Sequence, residues 1–421
     1  MGQLGPEPEP GAAGPGALLL TGASLANGRT VDVRLSGDRI EAVGTAGSLR
    51  AAERLDLTGY LLLPAPAEPH AHLDEALTAR SGTSAPTAPG GPDAPGTPDE
   101  EDLRRRITEA ALTHLGYGST VVRTHVLVSP ATGLTRLEAA LQAARDLRGL
   151  MQLQVTAMPD RLTDLRGREE RALLREAARA GAHALGGHLV PSPSPSVPPS
   201  PEECLAALLD LSGSCGLPLD LHVDAAALPS TPPTGLPPRS VLTLAGTAGT
   251  AGTGTGTLLD TLLGARPGAG FGVVVLPQGG CCAAPGGFDA DSARRLAESG
   301  LPFAAGSGAL RDATRPVGRA DPIEAAFLLA ASTGLSAHAA YDAIGRGARA
   351  VLGLPDSAVE PGRPADLLAL RGDTLTAALS GGHSRVVLHA GRVVSRTSAV
   401  REYADTTTAA VPRQVRPLGP A

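Results

Sequence analysis

The chain has 421 residues and a formal charge of −6, from 36 basic and 42 acidic side chains, and all of the basic ones are arginine. The complete lack of lysine excludes Schiff-base chemistry, a GK[ST] phosphate loop and any metal bridge built on a carbamylated lysine. Mild acidity argues against a nucleic-acid-binding surface, and no segment approaches the ~20 apolar residues of a membrane span.

At ~150 residues per domain the length allows one large domain and an accessory one, and an apolar content of 42% is ample for a core. Gly (53) and Pro (38) together make up about a fifth of the chain. Residues 1–16 form a Pro/Gly leader that carries acid where a signal peptide carries base. Cys204, Cys215, Cys281 and Cys282 are too few for a disulfide framework, so reduced thiols in a cytoplasmic protein are expected.

Residues 17–63 read as short strands joined by NG and SGD turns, the first part of a small β-sandwich. From 64 to 358 the pattern changes to strand-then-helix units. A helix is expected to start at Thr97-Pro98-Asp99-Glu100, with Thr97 as N-cap, and to end at Gly116 with Leu103, Ile107, Ala111 and Leu115 on one stripe. Strands are expected at 119–128, 151–158, 183–190, 219–224, 272–277 and 301–306, with helices between them. So many βα repeats predict a (β/α)8 TIM-type barrel. Residues 359–400 read as the closing sandwich strands, and 401–421 as a tail without regular structure.

Low-complexity stretches at 81–98, 191–201, 229–239, 245–257 and 279–287 mostly follow strands, which assigns them to loops at the C-terminal face of the barrel. They are poor in chemically useful side chains. The run GTAGTAGTGTGT lacks the ordered GxGxxG-to-helix context of a dinucleotide site.

The sharpest chemical signal is Glu68-Pro69-His70-Ala71-His72-Leu73-Asp74, directly after an apolar strand. Residues i and i+2 of a strand point the same way, so His70 and His72 can converge on one ion, and neutral imidazoles suit Zn²⁺ or Fe²⁺. His222 and His125 also sit on predicted strands. His114, His183, His188, His338, His383 and His389 read as surface or packing residues.

LLLPAPAEPHAHLDEALTA resembles the first-strand motif of the amidohydrolase superfamily in its cytosine deaminase branch. Four further segments fit the same resemblance: GYGSTVVRTHVLVSPATGLTRLEAAL, LDLHVD, LPFAAGSGALRDATRPVGRADPIEAAFLLA and PADLLALRG with VVLHAGRVV. Together they cover roughly residues 18–400. The resemblance implies a barrel that holds one divalent ion, Zn or Fe, without a carbamylated lysine. It implies hydrolysis of a non-peptide C–N bond in an aminated heterocycle or related small molecule, using metal-activated water. Carried over residue by residue, it makes His70, His72 and His222 metal ligands.

The chain departs from the family at four positions. The proton-shuttling Glu falls at Ala225, the His that assists the attacking water at Gly246, and the metal Asp at Gly308. The substrate-amide Gln falls at Asp160. Asp74, Glu75, Asp160 and Asp224 stay open as alternative bases, Asp312 as a substitute carboxylate, and Cys281-Cys282 as soft ligands or small packing residues. Two readings follow: a metal-dependent hydrolase, or a catalytically impaired scaffold that binds a ligand or partner.

Overall fold

The computed structural model describes residues 16–79, 99–159, 168–189, 200–224, 235–245, 270–279 and 290–400. The leader, the tail and nearly all of the low-complexity stretches lie outside these residues, as do Asp160, Ala225, Gly246, Cys281 and Cys282.

Two eight-stranded sheets organise the described residues. The first is mixed and draws on both ends of the sequence: β1 (Leu18–Ser24), β2 (Thr30–Ser36), β3 (Arg39–Thr45), β4 (Glu53–Asp56) and β5 (Tyr60–Pro64), then β14 (Leu367–Arg371), β15 (Arg385–His389) and β16 (Arg392–Thr397). The two contributions join where β5 pairs antiparallel with β14, Leu62 opposite Ala369. Leu20, Val33, Leu62, Leu367 and Leu388 share its core. In β5 and β14 the intervening Leu61, Leu63, Leu368 and Leu370 join the larger core shared with the barrel, so these two strands are buried on both faces.

The second sheet is parallel and runs β6 (Ala67–Ala71), β7 (Val121–Val128), β8 (Gln152–Pro159), β9 (Ala184–Leu189), β10 (Leu219–Asp224), β11 (Ser240–Ala245), β12 (Phe271–Val275) and β13 (Phe303–Ala305), each paired with the next. A parallel bridge from Ala71 to Gly308 draws the first strand towards the segment after the last, nearly closing a TIM-type barrel. Helices α1 (Glu100–Tyr117), α2 (Thr135–Asp146), α3 (Arg168–Ala180), α4 (Pro201–Cys215), α5 (Ala290–Glu298), α6 (Pro322–Thr333), α7 (Ala337–Ile344) and α8 (Arg346–Val351) accompany the barrel, and α9 (Leu375–Gly381) follows β14.

The ends of α1 differ from expectation. Its N-cap is Asp99, whose side chain accepts the Asp102 N–H, and not Thr97, which lies outside the described residues. Gly116 stays helical, and the helix closes two residues later at Gly118, whose φ of 118° only glycine adopts at little cost.

The period of two along the barrel strands explains the interior. In β10, Leu219, Leu221 and Val223 join the large core shared with the helices, which leaves Asp220 and His222 to the opposite face. In β7, Val122, Val126 and Val128 do the same, leaving Arg123 and His125. A separate apolar cluster of Ala67, Val121, Val241, Val274 and Ala304, with Ala348, Val351 and Leu352 from the α8 end, plugs the barrel. Polar side chains two and four residues further along β7 therefore lie in layers above that plug.

Candidate metal centre

Above the plug lies a buried polar layer. Arg123 donates to Asp220 Oδ2 at 3.0 Å and to Gln154 Oε1 at 2.7 Å, while Gln154 reaches the Leu352 carbonyl at 3.4 Å. On its other oxygen Asp220 faces His125 Nε2 at 3.1 Å. Burial alone would raise the Asp220 pKa, but interactions with His125 and Arg123 more than offset it and hold the carboxyl below the usual range. The carboxylate stays charged and serves as the counter-ion of the layer.

The next layer holds the imidazoles. One nitrogen from each of His70, His72, His125 and His222 lies within 4.8 Å of the other three, and all four residues are buried. The His70 ring is 4.4 Å from both the His125 and His222 rings. Burial, reinforced by the neighbouring imidazoles, holds His70, His72 and His222 well below the ordinary histidine pKa. Neutral imidazoles keep the lone pairs that coordination needs.

Two observations test whether a divalent ion fits. The Nε2 atoms of His70 and His72 are buried and have no hydrogen-bond partner among the described residues. A buried polar atom left in this way is costly unless something else satisfies it. The Nδ1 atom of His70 is held from behind by Thr243 Oγ1 at 3.0 Å, a contact that orients the ring as outer partners of metal-bound histidines do. The donor set suits Zn²⁺ or Fe²⁺.

The structure thus brings His70, His72 and His222 together, and adds His125, whose nitrogens also face Asp220 and, at 3.4 Å, the Ala71 carbonyl. No carboxylate joins this cluster among the described residues. Asp312 is occupied elsewhere: its Oδ1 accepts from Thr314 N, Thr314 Oγ1 and Arg315 N, closing a local turn. Burial raises its pKa against those bonds, with repulsion from Asp74 adding to it. Asp74 itself bonds Arg136 at 3.0 Å and Leu127 N at 3.2 Å. Asp224 ends β10, and Gly308 lies on the seam between β6 and the segment after β13.

Glu68, two residues before His70, ties the same seam. Its carboxylate accepts from His70 N at 3.0 Å, from Ser307 N at 2.8 Å and from Ser307 Oγ. Burial pushes its pKa up to about 7 despite these bonds.

One histidine expectation is corrected. His188 is not a mere surface or packing residue, because its Nε2 sits 2.7 Å from Nδ1 of His222. No local motif marks it, since the contact arises only from the pairing of β9 with β10. Thr243 is equally silent in the sequence. His114, by contrast, packs fully buried in α1, and His183 accepts the Val155 N–H at 3.1 Å.

An imidazole cluster inside a parallel barrel, beside a mixed sheet drawn from both ends of the chain, defines the class. The fold matches N-isopropylammelide isopropylaminohydrolase from Burkholderia multivorans with a TM-score of 0.69 and 23% identity, over 90% of this chain and 98% of that one. It also matches 5-methylcytosine deaminase from Klebsiella pneumoniae with a TM-score of 0.72 and 20% identity, over 92% of this chain and all of that one. Atrazine chlorohydrolase TrzN from Arthrobacter aurescens, solved with zinc, gives 0.65 at 18% identity over 90% of this chain and 95% of that one.

In sequence, the N-isopropylammelide isopropyl amidohydrolase of Pseudomonas sp. (strain ADP) is 25% identical over 183 residues, 40% of this chain. The match spans 45% of that relative's length. No family model matches the chain. These likenesses bear out the resemblance read from the sequence: the chain has the fold of the cytosine deaminase-like amidohydrolases. No helix among the described residues is long and apolar enough to cross a membrane.

Proposed function

We propose that this chain is a metal-dependent hydrolase that cleaves a non-peptide C–N bond of an aminated heterocycle or a related small molecule. The observation that carries the reading is the set of buried imidazoles gathered inside the barrel, with orphaned Nε2 atoms on His70 and His72. The proteins with the same fold support the substrate class, since those compared are named an N-isopropylammelide isopropylaminohydrolase, a 5-methylcytosine deaminase and an atrazine chlorohydrolase.

His70, His72 and His222 would hold the ion, Zn or Fe. When bound, such an ion supplies Lewis acidity and makes water a competent nucleophile near neutral pH. The chain's own residues do the rest. Thr243 orients His70, Asp220 and Arg123 hold His125 against the cluster, and burial keeps His70, His72 and His222 neutral. Acid–base work contributes ~10²–10⁴-fold per group. With Ala225, Gly246 and Gly308 at the positions where the family resemblance expects such groups or the metal Asp, turnover is expected to be slow. Asp224 and Asp160 are the candidates for proton transfer, because Asp312 is bound up in its turn.

The test is to purify the protein, count Zn and Fe per chain, and follow ammonia and amine release across aminated pyrimidines and triazines. The expected result is stoichiometric metal and a release rate abolished by His70→Ala. Metal without turnover on any such substrate, or turnover that survives His70→Ala, would overturn the proposal. Asp224→Asn and Asp160→Asn then sort the proton carriers.

A further inference from the structure

His188 lies on β9, which pairs in parallel with β10 so that His188 stands directly opposite His222. Residues opposite each other in neighbouring strands present their side chains on the same face of the sheet. Their rings are 4.5 Å apart, and His188 Nε2 is 2.7 Å from His222 Nδ1. Two ring nitrogens at that distance share one proton, so one donates and the other accepts.

A histidine that binds a metal through Nε2 normally gives its Nδ1–H to a carboxylate, a carbonyl or water, and that partner fixes both tautomer and ring angle. Here the partner is a second imidazole. We propose that His188 is a positioning residue for His222: it accepts the Nδ1–H of His222, locks that tautomer, and so leaves Nε2 as the nitrogen that faces an ion. The ion-binding half of this inference rests on the metal-centre reading above; the tautomer half stands without it. The other rings are placed differently, His70 being held by the Thr243 hydroxyl and His125 by the Asp220 carboxylate.

Two measurements on the full-length protein test the proposal. In the metal-stripped, ¹⁵N-histidine-labelled chain, long-range ¹H–¹⁵N correlation should show His222 as a single Nδ1–H tautomer. His188→Leu, which fills the same space, should convert it to a tautomer mixture. His188→Gln, whose amide oxygen accepts a hydrogen bond, should restore the single form. In a competitive Zn²⁺ titration His188→Leu should weaken binding by about 10–100-fold, with His188→Gln recovering most of it.

An unchanged His222 tautomer in a folded His188→Leu protein overturns the proposal, even if Zn²⁺ binds tightly, and leaves the metal reading standing. A tautomer that responds while the parent protein binds no Zn²⁺ upholds the positioning role and removes the metal reading. Should His188→Leu not fold, the Gln variant decides alone, because loss of the Nδ1–H tautomer there contradicts the assigned acceptor role.

Discussion

A Cβ placed on Gly308 would lie 2.7 Å from the carbonyl oxygen of Gly279, and Gly308 itself has a φ of +75°. This is the position where the family resemblance expects a metal-binding Asp. The β6 seam approaches the same point through the Ala71–Gly308 bridge. The carboxylate is therefore excluded by the backbone path as well as missing from the sequence.

Gly308→Asp is accordingly expected to damage the protein, and not to repair the site. A side chain there needs a left-handed backbone, at about 1–2 kcal/mol, and must also push the Gly279 carbonyl aside. Urea denaturation should show a loss of about 1–3 kcal/mol, with no gain in Zn²⁺ affinity. A variant as stable as the parent that binds Zn²⁺ more tightly would show that the seam yields.

The Arg123–Asp220 pair makes a second prediction. Arg123 is 4% exposed and Asp220 not at all, so neither charge can fall back on water. Arg123→Met should cost about 3–5 kcal/mol by stranding the carboxylate. Arg123→Met with Asp220→Asn should recover part of that loss. A single Arg123→Met variant within ~1 kcal/mol of the parent in denaturant melts would contradict the pair's assigned weight.

Thr243→Val removes the hydroxyl that holds His70 Nδ1 while keeping nearly the same volume. Zn²⁺ affinity should drop by about tenfold, and Thr243→Ser should retain most of it. Equal affinity in the Val variant would mean that the His70 ring is oriented by packing alone.

His114 carries a pH prediction. It is fully buried, its two ring nitrogens have no hydrogen-bond partner among the described residues, and burial pushes its pKa down from 6.5 to about 3. The unfolded chain therefore binds a proton that the folded chain refuses between those values. Stability from this group is present above pH 6.5 and is lost as pH falls from 6.5 towards 3. His114→Leu should raise the thermal midpoint at pH 5 and flatten its decline towards acid. A parallel decline in both proteins would place the acid sensitivity elsewhere.

Much was legible without coordinates. The strand-then-helix repeats predict the barrel, and His70 and His72 sit two apart at the end of an apolar strand. His222 lies in the alternating run LDLHVD, so its side is dictated by the period of two. Those are local signals, carried by spacing within one element.

What the tertiary structure alone decided is which elements meet. His125 enters the imidazole cluster because β7 pairs with β6, and His188 touches His222 because β9 and β10 are in register there. Neither strand carries a mark of its neighbour, since pairing register is set by the closure of the whole barrel. The same holds for Gly308. Its sequence shows a carboxylate missing, but only the folded backbone, running past the Gly279 carbonyl, shows that there is no room for one.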